Sequence, residues 1–134
     1  MQMSFGTLEL AERLKRDNIL MKIDALIDWE ELRPKLRGLY RRELSHGGGQ
    51  EPFDALMMFK AILLGQWHSL SDAALEQALS VRIDFLQFCG LSLSDAIPDE
   101  TTLCRFRNRL VSGDRLDDLL ASINEQLQSH GLMI

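Results

Sequence analysis

The sequence predicts an all-α protein, a compact orthogonal bundle of several helices. Apolar residues recur at three- and four-residue spacing along most of the chain, whereas alternating strand patterns are nearly absent. Residues typical of helix N-caps and helix ends separate these segments. The 134 residues suffice for one domain with its own core, and 46% apolar with 26% charged residues is ordinary for a globular protein.

Two helices are predicted before residue 28. Residues 7–15 form a thinly apolar helix or a loosely held arm. The second helix is capped by Asp17 or Asn18, because short polar side chains accept hydrogen bonds from the first free amides. It runs to about Ile27, and its buried side comprises Ile19, Leu20, Ile23, Leu26 and Ile27.

Pro34 divides the next segment, because proline breaks a helix that continues through it. Asp28 and Glu31 have capping-box spacing, which predicts one helical turn at 29–32. A new helix runs from Pro34 to about Arg42, since proline suits the first turn of a helix.

Residues 45–50 contain three consecutive glycines. They lack P-loop spacing and follow no strand, so a hinge explains them better than a phosphate site. We therefore divide the chain into an N-terminal helical arm at 1–44, a linker at 45–51 and a helical core at 52–131. The apolar residues at 132–134 look like the start of a strand without a partner, so we expect truncation there.

The core begins with the most apolar helix of the chain, from Pro52 to about Trp67. Apolar residues cover nearly all of its faces, which predicts a central, buried helix. The alternative is a methionine-rich groove for partner proteins that includes Met57 and Met58.

Three more helices complete the core, one of which carries arginines and is treated below. Ser71 caps a helix over 72–79, and a short apolar helix follows at 83–88. Asp114 caps the last helix, which ends at about His130. Its buried face comprises Leu116, Leu119, Leu120, Ile123 and Leu127, and Gly131 suits its C-terminal end.

The helix predicted at 99–111 carries three arginines. Asp99 stands at its N-cap position, and Leu103, Phe106 and Leu110 form a buried stripe at about 100° per residue. The opposite face comprises Thr101, Arg105, Asn108 and Arg109, with Thr102 and Arg107 at its edges. Arginine, asparagine and threonine contact phosphates and base edges, so this face is a candidate DNA-binding surface.

Charged helix faces are usually solvated, so the alternative for these arginines is salt bridging to Asp95, Asp99 or Asp114. Arg107, beside the apolar stripe, is best suited to a structural role, bound to a carboxylate or lying along Phe106. We expect help with DNA contact from a second basic cluster, which comprises Arg33, Lys35, Arg37, Arg41 and Arg42.

Overall charge and motif content exclude several other functions. A net charge of −5 and a pI near 5.1 argue against a general nucleic-acid binder, so contact with DNA depends on local basic clusters. The histidines and the two cysteines lack zinc-type spacing, and no nucleophile or dinucleotide motif is evident. We expect no cofactor, no metal, no membrane partner and a cytoplasmic location.

Three stretches carry a family resemblance. Residues 27–34 read Ile-Asp-Trp-Glu-Glu-Leu-Arg-Pro, and residues 52–72 end in Gln-Trp-His-Ser-Leu-Ser-Asp. Residues 97–110 contain Pro-Asp-Glu-Thr-Thr followed by Phe-Arg. In this order they resemble the opening segment, the central helix and the signature of the N-terminal domain of DDE-type bacterial insertion-sequence transposases, the InsH-like group.

The resemblance implies recognition of transposon terminal inverted repeats and help in assembling the transposition complex. It implies a helix-turn-helix-like arrangement in which the helices at 72–79 and 83–88 support the arginine helix in the major groove. The connection at 89–98 is longer than the usual turn of that motif. An RNase H-like catalytic domain would follow, and none of its metal-binding carboxylates can be assigned here, so we expect this chain to be catalytically inert.

The expected partners are double-stranded DNA, the catalytic domain of the same transposase and a second copy of the chain. A hypothesis from another class is a protein-interaction module that dimerises or docks on the catalytic domain, and a natural short form would act as an inhibitor. Its motivation is the methionine-rich helix, the acidic total charge and the apolar residues at 132–134.

Overall fold

The computed structural model of the chain describes residues 18–39 and 53–131. In these two stretches the structure is helical and contains no strand, which confirms the predicted all-α bundle. The elements are α1 (Ile19–Leu26), a 3-10 helix (Trp29–Leu32), α2 (Arg33–Leu36), α3 (Ala55–Trp67), α4 (Asp72–Val81), α5 (Ile83–Cys89), α6 (Glu100–Ser112) and α7 (Leu116–Ser129).

Helix α3 lies at the centre and packs against α2, α4, α5 and α6. Its residues are apolar on nearly every side because every side meets another helix. Met57 and Met58 are 7% and 0% exposed, so they belong to the core and do not line an open groove.

Both described stretches contribute to one hydrophobic core. Leu20, Ile23 and Leu36 from the N-terminal stretch join the same cluster as the side chains of α3 to α7. The largest fully buried side chains of this cluster are Phe59, Phe85, Phe88 and Phe106. The predicted helix at 7–15, the linker at 45–51 and residues 132–134 lie outside the described residues, and the division into arm, linker and core stays a prediction.

Three predicted helix caps are confirmed. The side-chain oxygens of Asn18, Ser71 and Asp99 accept hydrogen bonds from backbone amides two or three residues along, at 2.8, 3.1 and 2.8 Å. Gly131 has a positive φ of 77° after the end of α7, which suits a residue without a Cβ. Helix α3 begins at Ala55, capped by Asp54, and not at Pro52.

The predicted buried side of α1 is wrong at two positions. Ile19 is 59% exposed and Leu26 is only half-buried, whereas Met21 is buried. Ile19 and Leu26 are seven residues apart and so lie on the same side of the helix, which shows that the buried face is turned from that side toward Leu20 and Ile23.

The predicted ends of two other helices also differ. Helix α2 stops at Leu36, well before Arg42, because the chain turns at Gly38 with a φ of +81°. Asp114 does not cap α7: its own φ is 54°, and Arg115 occupies the cap position without a side-chain cap bond.

The predicted capping box of the 3-10 helix is absent, since Asp28 makes no side-chain cap bond. The Asp28 backbone N–H instead donates to Oε1 of Gln126 on α7, at 2.6 Å. A tertiary partner thus replaces the local cap.

Lys60 is the one charged residue in the central helix, and its side chain is only 12% exposed. Its ammonium donates to Oδ1 of Asp24 at 2.8 Å and to the Phe88 carbonyl at 2.9 Å, and it lies 4.4 Å from the centroid of a Trp29 ring. A buried charge is tolerated only when it is paired and hydrogen-bonded, so this arrangement links α1, α3 and α5 in one geometry.

Asp24→Ala removes the carboxylate that neutralises Lys60. We expect the free energy of unfolding to fall by about 1–3 kcal/mol, because a nearly buried ammonium loses its charged partner. Urea denaturation followed by circular dichroism measures the change. Glu125→Ala, at an exposed position of α7, is the control and should stay within about 0.5 kcal/mol of wild type. Equal effects of the two substitutions would contradict this role of Lys60.

Candidate nucleic-acid interface

Helix α6 has the two faces that its sequence predicts. Leu103, Phe106 and Leu110 are each 0% exposed. On the remaining surface, Thr101, Arg105 and Asn108 are exposed, and Thr102, Arg107 and Arg109 are half-buried. The helix therefore presents a polar row to solvent while its apolar stripe is fixed in the core.

The N-terminus of α6 is occupied by carboxylates from the protein itself. Asp99 accepts a hydrogen bond from the Thr102 amide at 2.8 Å, and Glu76 of α4 accepts one from the Glu100 amide at 2.7 Å. The backbone hydrogen bond from Thr102, aided by the positive charge of Arg105, lowers the pKa of Asp99. This end of the helix is consequently negative, and two of its first amides already have carboxylate partners.

Arg107 has the structural role that its position suggests. Its guanidinium forms a bidentate ion pair with the carboxylate of Asp72 on α4. Nη2 donates to Oδ2 at 2.8 Å, and Nη1 donates to Oδ1. The hydrogen bonds from Arg107 hold the pKa of Asp72 below its ordinary value of 3.8, and those to Asp72 raise the pKa of Arg107. The partner is Asp72, and not any of the three aspartates considered from the sequence.

Two contacts thus join α4 to α6, one at the first residue of α6 and one near its middle. Asp72 precedes Glu76 on α4, whereas its partner Arg107 follows Glu100 on α6, so the two helices run antiparallel. Two attachment points prevent α6 from rotating about its own axis. The exposure of Arg105 is therefore determined by α4 as well as by the apolar stripe.

The second basic cluster is only partly available to a ligand. Arg33 is bound by Glu30 and Asp54, with N–O distances of 2.7 and 3.1 Å, and these hydrogen bonds raise its pKa. Lys35 pairs with Asp118 of α7 at 3.2 Å. Arg37 is exposed. The other two predicted site residues of the cluster, Arg41 and Arg42, lie outside the described residues.

Arg115 is a residue of the site that sequence reasoning missed. It lies in the short connection between α6 and α7, and its Nη1 donates to the backbone carbonyls of Lys35 and Arg37 at 3.3 and 2.6 Å. This contact joins the backbone of Arg37 to the segment that follows α6. The partner carbonyls are about eighty residues away in the chain, so no local pattern signals the contact.

The described stretches show no other chemistry at this surface. They contain no group of three or more histidine, cysteine, aspartate or glutamate side chains arranged to hold a metal ion. Burial raises the pKa of Cys89 to about 12, which keeps that thiol protonated and unreactive at neutral pH. No helix in the part of the chain that is described is long and apolar enough to cross a membrane.

The fold and the site together define a small helical domain with one rigidly held polar helix at its surface. The family model described as Transposase domain (DUF772) matches residues 8–109, which is most of the chain. The protein therefore belongs to this transposase domain family. The matched residues include the opening segment, the central helix and most of α6. No solved structure matches the chain.

Asp72→Ala tests the contact between α4 and α6. We expect a loss of about 1 kcal/mol in the free energy of unfolding near neutral pH, modest because Arg107 is partly in water. The folded protein holds the pKa of Asp72 below 3.8, so its contribution is complete above that pH and disappears as the pH falls through the folded-state value.

Denaturation curves of wild type and Asp72→Ala at a series of pH values measure whether the difference in free energy of unfolding between the two proteins disappears at low pH. Asp117→Ala, at an exposed aspartate of the first turn of α7, is the matched control. A stability difference for Asp72→Ala that stays constant down to strongly acidic pH would show that the carboxylate does not act through its ion pair.

Proposed function

We propose that this chain is the DNA-binding N-terminal domain of a transposase, which recognises the terminal inverted repeats of its element and helps to assemble the transposition complex. Membership of the transposase domain family supports the transposase role. The observation that carries the DNA-binding role is the exposed row Thr101, Arg105 and Asn108 on a helix that α4 holds at two points.

The dimensions of this row suit the major groove. At 1.5 Å per residue, the distance from Thr101 to Asn108 along the helix axis is about 10 Å, comparable with three base pairs. Arginine reads guanine and asparagine reads adenine through paired hydrogen bonds, and threonine contacts either bases or phosphates. The attachment of α6 to α4 fixes the backbone positions from which these side chains project. Less conformational entropy is therefore lost when they bind DNA.

Charge distribution indicates how DNA approaches. Asp99, Glu76 and Glu100 make the N-terminal end of α6 negative, whereas Arg105 and Arg109 follow toward its C-terminus. Phosphates therefore approach the C-terminal half of the helix. Since the whole chain is acidic, few phosphates are neutralised, and we expect a shallow dependence of affinity on salt.

Phosphodiester chemistry is not assigned to this domain. The proposal places cleavage and strand transfer in a DDE catalytic domain of the same transposase, and it assigns none of that domain's carboxylates to residues of this chain. The domain would position that active site on the transposon end.

One of the three observations that motivated the protein-interaction hypothesis, the methionine-rich helix, does not support it in the structure. The methionines of α3 are core residues, so they offer no groove to a partner. Light scattering over a concentration series, with and without a separately produced catalytic domain, measures dimerisation and docking. If the chain associates with a second copy of itself or with the catalytic domain but not with DNA, the protein-interaction hypothesis replaces the DNA-binding proposal.

Arg105→Ala and Arg109→Ala should each weaken binding to duplexes of the element's terminal inverted repeats. A lost base contact of this kind costs about 1–3 kcal/mol. Fluorescence anisotropy at fixed salt measures the dissociation constants, with a scrambled duplex as the reference for specificity.

Lys22→Ala is the matched control for these substitutions, because it removes the same charge from an exposed position on α1. It should leave the affinity nearly unchanged. Equal affinities of wild type, Arg105→Ala and Arg109→Ala at matched salt would refute the proposed interface.

A further inference from the structure

We propose that Arg115 is a positioning residue for DNA contact. It fixes the backbone of Arg37 to the segment that follows α6, so that Arg37 binds a phosphate of the same duplex that α6 contacts. This inference rests on the proposed function, and it extends the contact surface from one helix to two segments far apart in the sequence.

Arg115 is joined to α6 through the backbone. Its N–H donates to the Leu110 carbonyl at 2.9 Å, and the neighbouring Gly113 N–H donates to the Arg109 carbonyl at 3.0 Å. The residue therefore extends the last turn of α6 rigidly. Any group that its side chain binds is fixed relative to the arginine helix.

The side chain of Arg115 in turn joins the end of α2. The last carbonyls of a helix have no partner within the helix, and a cation is a favourable partner for them. Nη1 of Arg115 satisfies the carbonyls of Lys35 and Arg37 together. A second link, between Lys35 and Asp118, joins α2 to the first turn of α7.

Glycines lie on both sides of this contact. A Cβ on Gly113 would lie 3.2 Å from the Arg109 carbonyl oxygen, which is unusually close, and 3.5 Å from Nε of Arg115, which is an ordinary contact distance. Gly38 turns the chain directly after Arg37 with a φ of +81°, a conformation that side chains rarely adopt. The backbone of Arg37 is thus held in place while its side chain stays exposed.

Fixing an exposed cation in advance lowers the entropic cost of binding a phosphate. Arg115 itself is half-buried, and its guanidinium is engaged with carbonyls. Its contribution to DNA binding is therefore indirect and passes through Arg37.

Arg115→Gln, Arg37→Gln and the double variant test this coupling in the full chain. Each neutralised phosphate contributes a slope of about 0.9 in log K against log salt, so loss of one contact should weaken binding about eightfold at 0.1 M salt and flatten the slope by about one. Lys22→Gln is the matched control, because it removes the same charge from an exposed position on α1 and leaves the Lys35 and Arg37 carbonyls bound.

A second measurement needs no DNA. Trypsin cleaves after Arg37, and mass spectrometry identifies that cut among all others. Release of the Arg37 carbonyl in Arg115→Gln should accelerate this cleavage, whereas Lys22→Gln should not. Circular dichroism confirms that each variant is folded.

The inference is supported if Arg115→Gln accelerates cleavage after Arg37, weakens DNA binding, and adds nothing further to Arg37→Gln. Additive losses in the double variant would overturn it, because Arg115 would then contact DNA by itself. Unchanged affinity of Arg115→Gln, with Arg105→Ala still impaired, would overturn the positioning role and leave the proposed function standing. If no variant alters DNA binding, both fail, even where cleavage after Arg37 accelerates.

Discussion

The enclosure of α3 on every side is the constraint on which the rest of the structure depends. A helix that is apolar all round must be covered all round, so α2, α4, α5 and α6 have to pack against it. Lys60 is the one charged residue within that helix. Its ammonium contacts Asp24, the Phe88 carbonyl and the rings of Trp29 and Phe88, and these contacts restrict how α1 and α5 pack against α3. Apolar burial supplies the driving force, and the buried cation supplies specificity of arrangement.

Many basic residues of this acidic protein form ion pairs within the fold. Among the described residues, ion pairs with carboxylates engage Arg33, Lys35, Lys60, Arg82 and Arg107. The positive charge that remains exposed includes Arg105 and Arg37, and Arg115 connects the segments that carry them. A net charge of −5 is thus compatible with exposed cations at Arg105 and Arg37, while Asp99, Glu100 and Glu76 keep the N-terminal end of α6 negative.

The packing of α6 against the core and α4 determines which side chains of the helix face solvent, among them Thr101, Arg105 and Asn108. The apolar stripe of α6 directs one face into the core, and the contacts of Glu76 and Asp72 at the start and the middle of α6 limit rotation about the helix axis. A surface arginine on a freely rotating helix would have to be ordered on binding. Here the order is already present in the fold.

The sequence by itself determined the all-α class, the central position of α3, the caps at Asn18, Ser71 and Asp99, and the buried stripe of α6, because each depends on residues close together in the chain. It also marked Arg107 as structural. Only the tertiary structure decided that Asp72 is its partner and that Arg115 binds the carbonyls of Lys35 and Arg37. These contacts join groups 35 to 80 residues apart, and the partner of a charged side chain at such a separation is fixed by how the helices pack, which no local spacing encodes.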